Sequence, residues 1–277
     1  MVAVSGGVDS MVLLDLIIRQ ANYEVIVAHV DHGIRLESRD EARFVEAQAK
    51  RYGVPFVSKL FELGEQTSEE AARQARYDFL IDEAEKHDAT LATAHHRDDL
   101  VGSIAINLLR GTGWRGLAVM NRPGILRPLL GMTKQQLYQY ALKHELEWVE
   151  DASNSSDQYL RNRLRADILQ LPTDTQEALG RLRNRQVELS DEIRCELDKL
   201  QLNSGGSRYF LSVIDDALAE ELLRHEIAKQ SGRMLQPEQV RRAILAIKTA
   251  KPGTIHDVGE GVRLTFSSDR FIVDTHL

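Results

Sequence analysis

The chain has 277 residues, 43% hydrophobic and 28% charged, with a formal net charge of −7. This is the balance of a folded protein with one sizeable core and a smaller module; it excludes a disordered chain and a protein basic over its whole surface. No apolar run approaches the roughly 20 residues of a membrane helix, no signal-peptide pattern opens the chain, and Cys195 is the single cysteine, so a cytoplasmic protein without internal disulfides or a cysteine-held metal is expected.

Val2-Ala3-Val4 reads as a short strand, followed by Ser5-Gly6-Gly7-Val8-Asp9-Ser10 and a periodic helix carrying Val12, Leu13, Leu16 and Ile17. Strand, glycine turn and helix N-terminus together set backbone N–H groups where an anion would sit. Gly6 and Gly7 allow close approach, and Ser5 and Ser10 offer hydroxyls. The loop lacks the lysine that closes a Walker sequence. In this setting SGGVDS resembles the PP-loop of the ATP pyrophosphatases, which cut ATP between its α and β phosphates.

A strand-like run at 25–30, a helix at 43–52, a strand at 55–60, a helix at 68–87, a strand at 90–94 and a helix at 98–110 follow. This βαβα order predicts an α/β fold with a doubly wound parallel sheet, whose ligands bind beyond the carboxyl ends of the strands. The informative motifs fall at those ends. His29-Val30-Asp31-His32-Gly33-Ile34-Arg35 closes the second strand and puts His29 and Asp31 on one face. It admits a metal site or a polar rim around a nucleotide, and the rim is preferred. Thr93-Ala94-His95-His96-Arg97-Asp98-Asp99 closes the fourth strand; Asp98 is expected to cap the next helix, and Asp99 to reach Mg2+ together with Asp9.

Glu70-Ala71-Ala72-Arg73-Gln74-Ala75-Arg76-Tyr77 sets Arg73 and Tyr77 on one helix face, as a solvated surface or as a phosphate or adenine contact. Gly111-Thr112-Gly113-Trp114-Arg115-Gly116 has a dinucleotide-binding spacing but follows a helix instead of a strand. NAD is therefore rejected, and a turn closing over the site is expected.

From residue 157 to about 202 the pattern is helical and arginine-rich, with Arg161, Asn162, Arg163, Arg165, Arg181, Arg183 and Arg185. Such clusters suit nucleic-acid phosphates, or a salt-bridged face shared with Glu177, Glu188, Asp191 and Glu192. Asn203-Ser204-Gly205-Gly206-Ser207 reads as a linker. Helices at 216–230 and 237–248 and strands at 254–258, 262–266 and 271–274 then form a small α+β module. The expected division is 1–202, a nucleotide-binding and catalytic domain with a helical arm, and 208–277, a small α+β substrate-binding domain.

In order, SGGVDS, HVDHGIR, AARQARY, TAHHRDD, LLRGTGWRGL, Arg127-Pro128-Leu129-Leu130 and DASN…RNRLR resemble the tRNA(Ile)-lysidine synthetase family in its short form. The resemblance implies ligation of L-lysine to C2 of the wobble cytidine of tRNA(Ile) with a CAU anticodon. The cytidine O2 attacks the α-phosphate of ATP, pyrophosphate leaves, and the lysine ε-amine displaces AMP. ATP and Mg2+ are the implied cofactors. The tRNA and L-lysine are the implied partners, with a second copy of the chain as a further candidate and no membrane.

The resemblance assigns catalysis to Asp9, Asp31 and Asp99. It assigns ATP to Ser5, Gly6, Gly7, Val8, Asp9, Ser10, His29, His32, Arg73 and Gly111; tRNA or lysine to His95, Arg110, Arg161, Asn162 and Arg165; and Mg2+ to Asp9 and Asp99. One departure stands out. The family continues its paired aspartates as D-D-Q-x-E-T, whereas this chain reads Asp98-Asp99-Leu100-Val101-Gly102-Ser103. The missing carboxylate predicts weakened or altered activity, with Asp9 or Asp31 compensating at best. A non-catalytic tRNA-binding relative is thus one alternative. A tRNA thiolation enzyme would need paired cysteines, and an amidating synthetase would lack the other blocks.

Overall fold

The computed structural model describes residues 1–20, 22–31, 38–61, 69–150, 171–204 and 206–275. His32, Arg161, Asn162 and Arg165 lie outside the described residues. Packing divides the chain into two compact units, Met1–Val187 and Glu188–Leu277.

The first unit is built on five parallel strands, β1 (Val2–Ala3), β2 (Val27–Asp31), β3 (Phe56–Leu60), β4 (Leu91–Ala92) and β5 (Ile125–Leu126), in the order β3-β2-β1-β4-β5. Helices α1 (Val8–Arg19) and α2 (Ser38–Tyr52) bury Val12, Leu13, Leu14, Val45 and Ala49 in one core, together with Leu137 and Ala141 of α5 (Lys134–Lys143). Helix α3 (Glu69–Lys86) buries Tyr77, Phe79, Leu80 and Ala84 in a second core with Ala28, Leu91 and Ile125. Two cores flanking one sheet are the doubly wound arrangement expected. The chain order reverses between β1 and β4, which pair through Val2 and Ala92, so a crevice opens at their carboxyl ends. Helix α4 (Arg97–Leu109) starts at that crevice.

Behind the loop, α1 carries a buried carboxylate. Asp15 accepts from Arg19 Nε at 2.6 Å, Tyr140 OH at 2.8 Å and Tyr52 OH at 3.0 Å. Burial pushes this carboxyl up, but the three hydrogen bonds and the Arg19 charge outweigh it, so its pKa lies below the ordinary value of 3.8. Burial and the Asp15 bond push both tyrosines up to about 12. A native pKa below the unfolded one means that the unfolded chain binds the extra proton. This contribution is therefore complete above the carboxylate range and is lost as pH falls through it. Asp15→Asn should cost about 3 kcal/mol at neutral pH and flatten the acid limb of the stability curve, read by urea denaturation over a pH series.

In the second unit, α7 (Arg208–Val213), α8 (Asp216–Ser231) and α9 (Pro237–Thr249) pack with an antiparallel sheet of β6 (Ile255–Gly259), β7 (Val262–Phe266) and β8 (Phe271–Thr275). Its core gathers Leu222, Leu223, Ile227, Ile247, Leu264 and Phe266. Residues 203 and 204, expected in a linker, are the last residues of α6 (Thr173–Ser204), whose helical hydrogen bonding continues through them. No described helix is long and apolar enough to cross a membrane.

Candidate functional site

The Ser5–Ser10 loop is held from within. Gly6 has φ +94°, open to glycine but strained for other residues, and a Cβ there would meet Val45 Cγ2 at 3.4 Å. The Gly6 carbonyl accepts from Val149 N at 3.0 Å. Ser10 Oγ donates to Gly7 O at 2.9 Å and accepts from Ser5 N at 3.2 Å. The two serine hydroxyls, expected as ligand donors, thus also hold the loop shape. Gly7 caps α1 without a side-chain hydrogen bond, which leaves the first helical N–H groups directed at the crevice.

His29 braces the same junction from β2. Its Nδ1 meets Val4 O at 2.8 Å, while its buried Nε2 has no partner. Burial lowers its pKa, against the opposing pull of the Val4 carbonyl and Asp31, and the ring stays neutral. Asp31 ends β2 on the same alternating face and is also buried.

From the other side of the crevice comes the segment after β4. The expected helix cap was Asp98, but the ring of His96 takes that role: it accepts from Asp98 N at 3.3 Å, and Asp99 Oδ2 accepts from His96 N at 3.1 Å. This reciprocal box positions the cap two residues earlier than a carboxylate-first reading places it. His96 is 2% exposed, and its Nε2 lies 3.8 Å from Asp9 Oδ2 and 3.5 Å from Asp99 Oδ2. Asp9 and Asp99, 90 positions apart in sequence, therefore face one imidazole edge.

A residue that sequence reasoning missed completes the group. Lys134 Nζ donates to both carboxylate oxygens of Asp9, at 2.7 and 2.6 Å, and its backbone N–H donates to Asp98 Oδ2 at 3.2 Å. Thr133 caps α5 in a capping box with Gln136, which places Lys134 at the first helical position. Arg97 N donates to Met132 O at 2.8 Å and staples this turn to the start of α4. The lysine absent from the loop sequence thus arrives in space from α5. The T-x-x-Q pattern at Thr133–Gln136 is the signal that could have found it.

His95 bonds Thr93 Oγ1 at 3.0 Å, and burial pushes its pKa down to about 4, with Arg127, Arg73 and Arg76 adding to the effect and Asp99 opposing it. Arg73 stands on the Tyr77 ring, its guanidinium 5.2 Å from the centroid. Arg110 is the C-cap of α4 and Gly111 the next residue. Thirteen helical residues span about 20 Å, so both stand at the far end of α4 from Asp99. Gly102 is buried within α4.

The donor set bears on a metal. Among the described residues no group of three His, Cys, Asp or Glu side chains could hold one. Mg2+ needs fewer, because one or two carboxylates together with substrate phosphates and water satisfy it. Asp9 and Asp99 fit that requirement. The site can thus place an anion on a helix N-terminus, beside an ammonium group and a pair of carboxylates.

Comparison with known proteins agrees with this geometry. The PP-loop domain family model matches residues 1–171. The "tRNA(Ile)-lysidine synthase" of Thermosipho africanus is 34% identical over 261 residues, covering 87% of this chain and 60% of the relative. That of Exiguobacterium sibiricum is 42% identical over 178 residues, covering 62% of this chain and 42% of the relative. The chain therefore spans 60% or less of the length of these two relatives. Among solved structures, the U34-tRNA thiolase NcsA from Methanococcus maripaludis with its [4Fe-4S] cluster shares the fold, with a TM-score of 0.58 at 18% identity over 67% of this chain and 70% of that one. The chain belongs to the PP-loop domain family.

Proposed function

We propose that this chain is an ATP-dependent tRNA(Ile)-lysidine synthetase acting in the cytoplasm. The observation that carries the reading is the meeting of Asp9, His96, Asp99 and Lys134 at the β1/β4 crevice, in a chain that resembles curated lysidine synthases along most of its length. ATP lies with its phosphates on the Ser5–Ser10 loop, where the α1 N-terminus and the Lys134 ammonium stabilise charge on the α-phosphate as pyrophosphate departs. Asp9 and Asp99 would hold Mg2+, which would supply further neutralisation of phosphate charge. The wobble cytidine must leave its stack for its O2 to reach that phosphorus. The lysine ε-amine, after losing its ammonium proton, then adds at C2, and the bond to AMP breaks. The catalytic work belongs to the first unit, and residues 208–277 serve tRNA binding.

The adenylation step is tested by incubating the protein with ATP, Mg2+ and CAU-anticodon tRNA(Ile) without lysine. Pyrophosphate release that depends on this tRNA supports the reading; release independent of tRNA, or none, opposes it. Gly102 favours one second reading, an inactive relative that binds tRNA only. Position 102 lies three residues after Asp99, on the same helix face. Gly102→Glu should therefore raise lysine incorporation about 10-fold, or ~1.4 kcal/mol of barrier, at unchanged tRNA affinity. An unchanged rate would show that the missing carboxylate is no handicap.

A further inference from the structure

Five guanidinium groups gather around Tyr77, Met120 and His95. Arg73, Arg76 and Arg122 lie over the Tyr77 ring, 5.2, 5.7 and 5.7 Å from its centroid. Arg127 Nη1 and Arg183 Nη2 donate to the same carbonyl, Met120 O, at 2.7 and 2.9 Å, and Arg183 Nε donates to Val119 O at 2.9 Å. Among the described residues, Arg73, Arg122, Arg127 and Arg183 have no carboxylate in an ion pair, although the chain as a whole is acidic. Two donors in this neighbourhood, Tyr77 OH and Arg127 Nε, are buried without an acceptor. Native proteins seldom leave such groups unsatisfied, so an acceptor-rich, negatively charged group is the missing complement.

We infer that this cluster is a second phosphate site, separate from the PP-loop, that takes the backbone phosphates of the RNA next to the reacting nucleotide. On the proposed reading the phosphates of ATP take the uncapped α1 N-terminus and Lys134 instead. Five guanidiniums exceed what one leaving pyrophosphate needs. Arg73 and Arg122 are exposed while Arg76 and Arg127 are half-buried, a graded basic surface that suits a chain of phosphates lying across it. The inference rests on the reading of the protein as a tRNA-modifying enzyme.

The test is fluorescence anisotropy with labelled tRNA(Ile) and tRNA(Met) transcripts over a salt series, together with ATP calorimetry. Arg122→Gln, at an exposed side chain, should weaken both transcripts about 5-fold and reduce the salt slope by about one. ATP affinity should not move. An unchanged slope with both transcripts would overturn the assignment, and so would a loss of ATP affinity with tRNA binding intact. Backbone contacts carry no sequence information, so the tRNA(Met) arm separates two failures. A reduced slope in a protein that never incorporates lysine leaves this site standing and removes the proposed substrate. Lysine incorporation with an unaffected slope does the reverse.

Discussion

Asp9→Asn will lower lysine incorporation into tRNA(Ile) by about 10³-fold while leaving the fold and tRNA affinity in place. The side chain sits in the first turn of α1, inside the phosphate loop, with both oxygens on Lys134 and one facing His96. Asparagine is nearly isosteric, so packing around Val8 and Met11 is kept. What disappears is a formal charge that faces the Lys134 ammonium and, on the proposed reading, holds Mg2+ against phosphate. Removal of one preorganised electrostatic partner typically costs about 10²–10³ in rate, and loss of a metal ligand adds to that. Single-turnover incorporation, anisotropy with labelled tRNA and a thermal melt together check the expectation. A rate within a few-fold of the wild type would remove Asp9 from the chemistry.

Lys134→Met should lower the single-turnover rate about 10²-fold, and Lys134→Arg should restore part of the loss. Methionine keeps the length of the side chain and its packing near Tyr138, whose ring lies 5.2 Å from Nζ, so the backbone N–H bond to Asp98 and the α5 cap survive. Only the cation is lost. In P-loop enzymes a lysine within the loop neutralises phosphate charge; here the loop has none, and α5 brings one to Asp9 instead. The account expects a fall in the rate of the adenylation step with ATP affinity changed by less than the rate. A variant with normal pyrophosphate release would confine Lys134 to a structural ion pair.

Much of this arrangement was legible from local pattern. The 216–230, 237–248 and 262–266 segments fall within a residue or two of α8, α9 and β7, because amphipathic spacing and flanking turn residues mark them without ambiguity. The buried strand β2 and the half-exposed edge strand β3 announced themselves as short strand-like runs before helical periods. By contrast, β5 has only two residues between Pro123-Gly124 and Arg127-Pro128, too few to show any period, and α5 reads as largely polar, with Leu137 and Ala141 its only buried residues. Its capping box at Thr133 marks where α5 starts, but the contact of Lys134 with Asp9 joins positions 125 residues apart. The cap at His96 shows a similar limit. Propensity favours a carboxylate at such a position, but the buried imidazole is fixed there by its neighbours Asp9 and Asp99. Arg110 and Gly111 share a recognisable motif with the active-site blocks, yet the length of α4 carries them to its far end.

The most direct test of the central claim is incorporation of labelled lysine into purified tRNA(Ile) bearing a CAU anticodon, with ATP and Mg2+. The expected result is label in the tRNA, one AMP released per lysine joined, and no incorporation with Asp9→Ala. Tight binding of that tRNA with no label incorporated would contradict it and identify the chain as a binding protein built on a synthetase fold.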